Sequence, residues 1–144
     1  MARRPEYRRL GKRGRICDWP KSAQSPEEVA EMVRYEGNQK HESYHRRSAG
    51  REGRWEIAQC DRYTPEDWPK LEDVLRMAIK AQCIQQFRGG FPSRAWAYIN
   101  DCLHEARLTE QEQGLYHGFP IDDPTGYPEP ADLLEERAPH VNIP

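Results

Sequence analysis

Two stretches of alternating residues on either side of Asn100-Asp101 constrain the fold of this chain more than any other feature. The chain reads RAWAYI before the pair and CLHEARL after it, and alternation of this kind is typical of a strand with two different faces. Asn and Asp accept positive φ more readily than most residues, so the pair is an acceptable two-residue turn. The sequence therefore predicts a β-hairpin over residues 94–108.

A two-residue turn also fixes the register of the hairpin, because Ile99 must then pair with Cys102 and every other pair follows from it. One face of the hairpin carries small and apolar side chains and suits contact with a helix, whereas the other face mixes aromatic and charged groups. That second face is predicted to carry Arg94, Trp96, Tyr98, Leu103, Glu105 and Arg107. A third strand, 115–120, is expected to pair beside residues 103–108.

Two helices are predicted before the hairpin. Ser25-Pro26-Glu27-Glu28 is a good helix start, with a capping serine, proline at the first position and acids that complement the dipole. This helix is expected to reach Tyr35 and to stop at Gly37-Asn38. A longer helix should run from Thr64 to Gln86 and end at Gly89-Gly90, with apolar residues at helical spacing that include Cys83. The fold class is therefore α+β, with two helices packed on a small antiparallel sheet.

The charge distribution divides the chain into three parts. Residues 1–24 form a basic arm, 25–121 form a single domain, and 122–144 form an extended, acidic, proline-rich tail. A basic arm favours a polyanionic partner, although a solvated arm or pairing between the two ends would leave the same pattern. Residues 38–54 are polar and basic and read as a loop, and a short strand near Trp55 and Ile57 follows them.

The chain is expected to be cytoplasmic. No apolar run approaches the roughly 20 residues of a membrane span, and the arginine-rich start is not followed by the apolar core of a signal peptide. The four cysteines are widely spaced, without a C-x-x-C pair, and free thiols are expected in that compartment. The cysteines are Cys17, Cys60, Cys83 and Cys102.

Arg94, Glu105 and Arg107, with His117 on the next strand, form the first candidate site. Metal-free RNA cleavage needs a base, an acid and cations for the charged phosphorane, and Glu, His and Arg supply them. The catalytic candidates are Glu105 as general base, His117 or His41 as general acid, and Arg94 and Arg107 as phosphate clamps. The competing interpretation is a surface Arg–Glu–Arg ladder with Trp packed on a guanidinium, an arrangement that is common and contributes little stability.

Basic residues in the arm and in the polar loop could hold a phosphate backbone, and Trp96 and Tyr98 on the hairpin could stack bases. A solvated basic loop explains the loop residues equally well. His41 and His45 lie one helical turn apart, but the loop does not read as a helix and no cysteine has ligand spacing, so no metal or cofactor is expected. The nucleic-acid-binding candidates are Lys40, Arg46, Arg47, Trp96, Tyr98, Arg8, Arg9 and Arg13.

The segments GNQKH, FPSRAW and HEARLTEQEQGLYHGFPI together resemble a pattern in a group of small uncharacterised bacterial proteins. The order of elements is more weakly similar to small ribonuclease toxins of the barnase/RelE type. That similarity implies an α+β fold and a concave sheet face bearing the active site. It also implies an active site drawn from Lys40, His41, Arg94, Glu105, Arg107 and His117. Such toxins are usually basic overall, whereas this chain has a net charge of -2.

The leading functional hypothesis is a small RNA-directed protein of toxin or defence type that cleaves RNA without metal, with RNA favoured over DNA. The alternative is a non-catalytic binding or assembly subunit, whose two ends wrap a protein or nucleic-acid partner. A third possibility is an inhibitor that presents its acidic tail as a polyanion mimic. No membrane partner is expected, and the sequence leaves the oligomeric state open.

Overall fold

The structure, a computed structural model, describes residues 14–36, 65–121 and 123–143. The polar loop 38–54 and the predicted strand near Trp55 and Ile57 lie outside these ranges. The described helices are α1 (Pro26–Met32), α2 (Trp68–Lys80, preceded by a 3₁₀ turn at Pro65–Asp67) and α3 (Ala131–Arg137). The strands are β1 (Arg34–Tyr35), β2 (Phe87–Arg88), β3 (Phe91–Pro92), β4 (Arg94–Ile99), β5 (Cys102–Glu110), β6 (Leu115–Pro120) and β7 (His140–Val141).

The main sheet has five strands in the order β1-β6-β5-β4-β7, and β2 and β3 form a separate two-stranded sheet. The central strands β4, β5 and β6 are antiparallel, whereas β1 pairs in parallel with β6 and β7 in parallel with β4. The α+β class is thus confirmed. The expectation of a purely antiparallel sheet is wrong, because the two edge strands come from distant parts of the chain and run in the same direction as their neighbours β6 and β4.

The predicted register of the β4–β5 hairpin is confirmed at every pair, from Ile99 with Cys102 to Arg94 with Arg107. Both turn residues adopt positive φ, 51° at Asn100 and 66° at Asp101, as a primed two-residue turn requires. The Asn100 side chain also bonds the backbone of Ile143 in both directions. The turn therefore ties the hairpin to the end of the chain as well as setting its register.

Asp101→Gly should raise the free energy of unfolding by about 0.5 kcal/mol, because glycine removes the steric cost of positive φ while the Asn100 contacts stay intact. Thermal melting of the full chain measures the effect. Glu112→Gly is the control, since Glu112 lies in an exposed turn without positive φ and gains nothing from glycine. A lower melting temperature for Asp101→Gly would contradict this account of the turn.

The helices end earlier than the sequence predicts. Helix α1 starts at the predicted serine cap, and Glu28 completes a capping box with Ser25. The helix stops at Met32, and the next residues turn extended to pair with β6. Helix α2 stops at Lys80 because Gln82 adopts φ 63° and reverses the chain, so Gly89-Gly90 forms the turn between β2 and β3 instead. Residues 83–86 then run beside β4, where Ile84 bridges Ala95.

The two faces of the sheet are covered by different elements. Helices α1 and α2 pack on the Ala95, Ala97 and Ile99 face and form the larger apolar cluster, as the alternation predicts. The opposite face packs Trp96 and Leu103 against a second cluster. The other members of that cluster are Ile16, Cys83, Leu134 and Ala138. Residues from both ends of the described chain therefore close over part of the face that sequence alone leaves open.

Residues 123–143 differ from the predicted extended tail. They contain α3, whose Leu134 is buried, and β7, which pairs with Tyr98 and Ile99. The part of the predicted basic arm that the structure describes also joins the body. The backbone of Ile16 bonds Glu129, and Arg15 pairs with the Glu129 side chain at 3.4 Å. Pairing between the two ends, one of the alternatives drawn from the sequence, is thus present at these residues.

Arg137 joins three separate segments at one point. Its guanidinium donates to the backbone oxygens of Cys17 (3.2 Å) and Gln82 (3.1 Å) and to the Asp18 carboxylate (3.3 Å). These bonds fix α3 against the chain that enters from residue 14 and against the end of α2. In the described part of the chain, no helix has the length and apolar character needed to cross a bilayer.

Candidate functional site

The carboxylate of Glu105 lies at the centre of the candidate site. Glu105 is in the middle of β5, directly opposite Trp96 on β4, and it is 1% exposed. Trp96 Nε1 donates to Oε1 at 3.1 Å, Arg107 Nε donates to Oε2 at 2.5 Å, and Arg94 Nη1 lies 3.6 Å from Oε2. Strand alternation and register thus bring Arg94, Glu105 and Arg107 together, as the sequence predicts.

The burial of Glu105 bears on its predicted role as a general base. Both carboxylate oxygens already accept donors from the protein, and a substrate hydroxyl would need to reach a group that is almost entirely enclosed. A buried charge is stable only when it is paired and hydrogen-bonded, which is the situation here. The geometry therefore fits a structural carboxylate that fixes the positions of two arginines.

The two arginines differ in depth. The Arg94 side chain is 12% exposed and the Arg107 side chain 38% exposed, so Arg94 is recessed and Arg107 stands at the rim. The Arg107 guanidinium carbon lies 5.1 Å from the centre of the Phe119 ring, within the range of a cation–π contact. Glu105 and Phe119 together hold Arg107 in one orientation at the surface of the sheet.

Charged groups of both signs act on Arg94. Burial lowers the pKa of the Arg94 guanidinium, Glu105 raises that pKa, and Arg107 and Arg88 lower it again. Arg88, on β2, is exposed and close enough to act on Arg94. The guanidinium groups of Arg94 and Arg107 therefore share one buried carboxylate. We call Arg88, Arg94, Arg107, His117 and Phe119 the arginine face.

His117 pairs with Arg107 across β5 and β6, so it lies beside the candidate cations. Its Nδ1 is 2.8 Å from the Thr109 hydroxyl, and its ring is tilted against Phe119 at a centroid distance of 6.2 Å. Thr109 occupies the irregularity in the β5–β6 pairing between Leu108 and Glu110, which has the form of a β-bulge. The bulge therefore brings the Thr109 hydroxyl within hydrogen-bonding distance of the His117 imidazole, beside Arg107.

Trp96 and Tyr98 do not form the open base-stacking surface that the sequence suggests. Trp96 is 1% exposed, and the backbone of Gly14 approaches its ring so closely that a β-carbon there would overlap it. Tyr98 is half-buried and its ring stacks on His140 at 4.6 Å. Both rings are covered because residues 14–16 and 131–141 return to this face. Stacking of a base on Trp96 is therefore excluded in this arrangement.

Phe119 and Thr109 are site residues that sequence reasoning missed. Phe119 follows His117 by two positions on the same strand, so the alternation that placed His117 could also have placed Phe119. The bulge at Thr109 has no comparable signal in the sequence. Cys83, beside Trp96, is not a reactive thiol, since burial raises its pKa to about 12.

Several predicted site residues lie outside the described ranges. Within residues 14–36, 65–121 and 123–143, no group of three or more His, Cys, Asp or Glu side chains is arranged to hold a metal ion. The predicted residues that fall outside are Lys40, His41, Arg46, Arg47, Arg8, Arg9 and Arg13.

Comparison with protein-family models, with curated proteins and with solved structures finds no match. The resemblance to small bacterial proteins and to ribonuclease toxins therefore stays a prediction.

Proposed function

We propose that this protein binds RNA, and that the arginine face holds the phosphate backbone. The observation that supports this most strongly is the state of Arg107, which is anchored at Nε by the buried Glu105, seated on Phe119 and still partly exposed. A guanidinium held in this way has already lost much of the side-chain entropy that binding would otherwise cost. It presents its remaining N–H groups for a phosphate.

The neighbours of Arg107 suit a single RNA strand better than a duplex. Arg107 provides charge, His117 provides a ring nitrogen, and Phe119 provides an aromatic side chain beside them, a combination suited to holding a backbone and an unstacked base together. The chain also contains further basic residues at Arg8, Arg9, Arg13, Lys40, Arg46 and Arg47, which would extend the electrostatic attraction. These features make RNA the favoured polyanion.

Cleavage is not part of this proposal. In the sequence-based hypothesis Glu105 removes the 2′-hydroxyl proton, but its two oxygens are engaged by Trp96 and Arg107 beneath the surface. A base in that position would have to break its contacts with both arginines before it could react. The arginine face is therefore proposed as a binding surface, with Glu105 as its internal support.

Arg107→Ala should weaken binding of a labelled 12-nucleotide single-stranded RNA about tenfold, because it removes the anchored phosphate contact. Fluorescence anisotropy at a fixed salt concentration measures the affinity. Arg107→Lys should fall between the wild type and Arg107→Ala, since lysine keeps the charge but cannot reproduce the planar fork. Melting curves for each variant establish that the fold is retained.

Lys70→Ala is the matched control for the loss of one positive charge. Lys70 is exposed and lies on α2, which covers the other face of the sheet. It should bind RNA within about twofold of the wild type. Equal losses for the Lys70 and Arg107 variants would mean that only net charge matters, and unchanged binding by a folded Arg107→Ala would rule out the arginine face. Tighter binding to DNA of the same sequence would overturn the choice of RNA.

A further inference from the structure

An aromatic surface lies at the other end of this sheet face, away from the arginine face. Tyr98 on β4 pairs with the buried Leu103 of β5, and Ile121, just after β6, bonds the Leu103 backbone from the other side. Tyr127 and Leu133 pack on the same apolar cluster and are half-buried, like Tyr98 and Ile121. These four side chains therefore have one side in the cluster and part of their surface in solvent.

The ring of His140 enlarges this aromatic surface. Strand β7 is at the edge of the sheet, and its register sets His140 beside Tyr98. The two rings stack nearly in parallel, with their centroids 4.6 Å apart and an angle of 10° between their planes. His140 is exposed, so the stacked pair reaches the surface. We call this surface the tyrosine patch, formed by Tyr98, Ile121, Tyr127, Leu133 and His140.

The charges beside the tyrosine patch are negative. Burial raises the pKa of the Tyr98 phenol, and the neighbouring Glu135 raises that pKa as well. Glu135 and Glu136 are exposed on α3, and neither forms an ion pair within the ranges that the structure describes. The one cation of α3, Arg137, is already bonded to Asp18 and to two backbone oxygens. The carboxylates beside the patch are therefore left for a cation from outside.

Aromatic rings next to such carboxylates select a particular kind of partner. The guanidinium of arginine stacks on aromatic faces and donates to carboxylates from its edge, so it matches both features at once. Tyrosine and arginine are also the residues that carry much of the binding energy where proteins meet. An acidic partner would be repelled by α3. The patch is therefore complementary to a cationic segment that contains arginine.

We propose that the tyrosine patch is a docking surface for an arginine-rich segment of a partner protein. Arginine side chains of that segment lie against the rings of the patch, and Glu135 and Glu136 accept their N–H groups. This surface is separate from the arginine face, so the proposal does not depend on RNA binding.

Anisotropy of a labelled peptide of alternating glycine and arginine, added to the full chain at a fixed salt concentration, tests the proposal. The arginine peptide should bind about threefold more tightly than a glycine–lysine peptide of the same length, because lysine supplies charge without a planar group. A glycine–citrulline peptide keeps the shape of arginine without its charge and should bind about tenfold more weakly than the arginine peptide. Absence of arginine-peptide binding, or equal binding of the arginine and lysine peptides, would overturn the proposal.

Variants of the patch and of α3 locate the binding. Tyr127→Ala should weaken binding of the arginine peptide about fivefold, whereas Tyr127→Phe keeps the ring and should bind like the wild type. Glu135→Gln should weaken binding about threefold. Glu135 is exposed, so this variant reports on the patch even if Tyr127→Ala disturbs the fold. Glu112→Gln, in the exposed turn after β5, is the matched control for loss of one negative charge and should keep the wild-type affinity.

Three outcomes would overturn the location or the partner. Equal losses for Glu135→Gln and Glu112→Gln would mean that the peptide responds only to net charge. Unchanged binding by Glu135→Gln and by a folded Tyr127→Ala would exclude the patch. Residues 1–13 of this chain are themselves rich in arginine, so sedimentation of the full chain without peptide is also needed. A dimer that Glu135→Gln dissociates would show that a second copy occupies the patch and would overturn the choice of a separate partner.

Discussion

Glu105→Gln should lower the free energy of unfolding by about 3 kcal/mol, because it removes the charge that Arg94 and Arg107 share in a buried position. The glutamine amide cannot replace the carboxylate, since Trp96 and Arg107 are both donors. Whichever way the amide is turned, its NH₂ group faces a donor N–H. The loss therefore combines the missing carboxylate charge between two arginines with an unsatisfied buried group.

Urea denaturation of the wild type and the variant measures this difference, with Glu110→Gln as control. Glu110 is at the exposed end of the same strand, and its variant should stay within about 0.5 kcal/mol of the wild type. Sequence reasoning alone predicts that Glu105→Gln leaves the melting temperature nearly intact, as expected of an exposed catalytic carboxylate. Equal stability of the two variants would favour that view over the structural one.

Trp96→Ala should be still more costly, at about 4 kcal/mol, because it empties a fully buried position in the second apolar cluster. The neighbours of the ring come from Ile16, from Cys83 beyond the end of α2, and from Leu134 and Ala138 at α3, and segments so far apart in the chain are poorly able to collapse together into the space. The same substitution removes a donor from Glu105. Trp96→Phe keeps most of the volume and separates the packing loss from the lost hydrogen bond.

Tyr98→Ala is the matched comparison, since Tyr98 is two residues away on the same face but only half-buried. It should cost roughly 1 kcal/mol, mainly through the loss of its stacking on His140. If both rings were exposed for base stacking, Trp96→Ala and Tyr98→Ala would instead cost similar, small amounts of stability. A loss below about 1 kcal/mol for Trp96→Ala would contradict the burial of this ring.

The hairpin could be predicted from sequence because its determinants are local. The alternation on either side of Asn100-Asp101 and the tolerance of both residues for positive φ fix the register. The start of α1 is also local, since Ser25 and Glu28 cap each other within one turn. Where residues close in the chain determine the local structure, the sequence predicts it, and in the hairpin it predicts each pair of facing residues.

The closure of the second sheet face could not be predicted in the same way. Helix α3 has seven residues and β7 has two, so neither carries a periodic signal, and both lie in a proline-rich acidic segment. The position of α3 depends on contacts with residues more than 100 positions earlier, such as those of Arg137 with Cys17 and Asp18, and β7 depends on pairing with the distant strand β4. The sequence places Cys83 in the long helix, and this is wrong because Gln82 reverses the chain without a glycine.

The sequence predicts which residues form the candidate site, but it does not predict how deeply they are buried. Arg94, Glu105, Arg107 and His117 are brought together by strand register alone. Whether Glu105 is an exposed base or a buried anchor depends on what covers Trp96, and that is determined by residues 14–16 and 131–138. The burial of Glu105 in the sheet thus depends on distant segments, and the alternating residue pattern of its own strand does not indicate where those segments lie.

Incubation of the purified full chain with total RNA in EDTA, beside Glu105→Gln, tests most directly whether Glu105 supports a binding surface or performs chemistry. Binding and strand length are followed in the same samples, by anisotropy and by denaturing gel. The proposed RNA binding predicts that the wild type binds RNA without shortening it, and the burial of Glu105 predicts that Glu105→Gln is markedly less stable. Metal-independent cleavage that Glu105→Gln abolishes, at an unchanged melting temperature, would contradict this account.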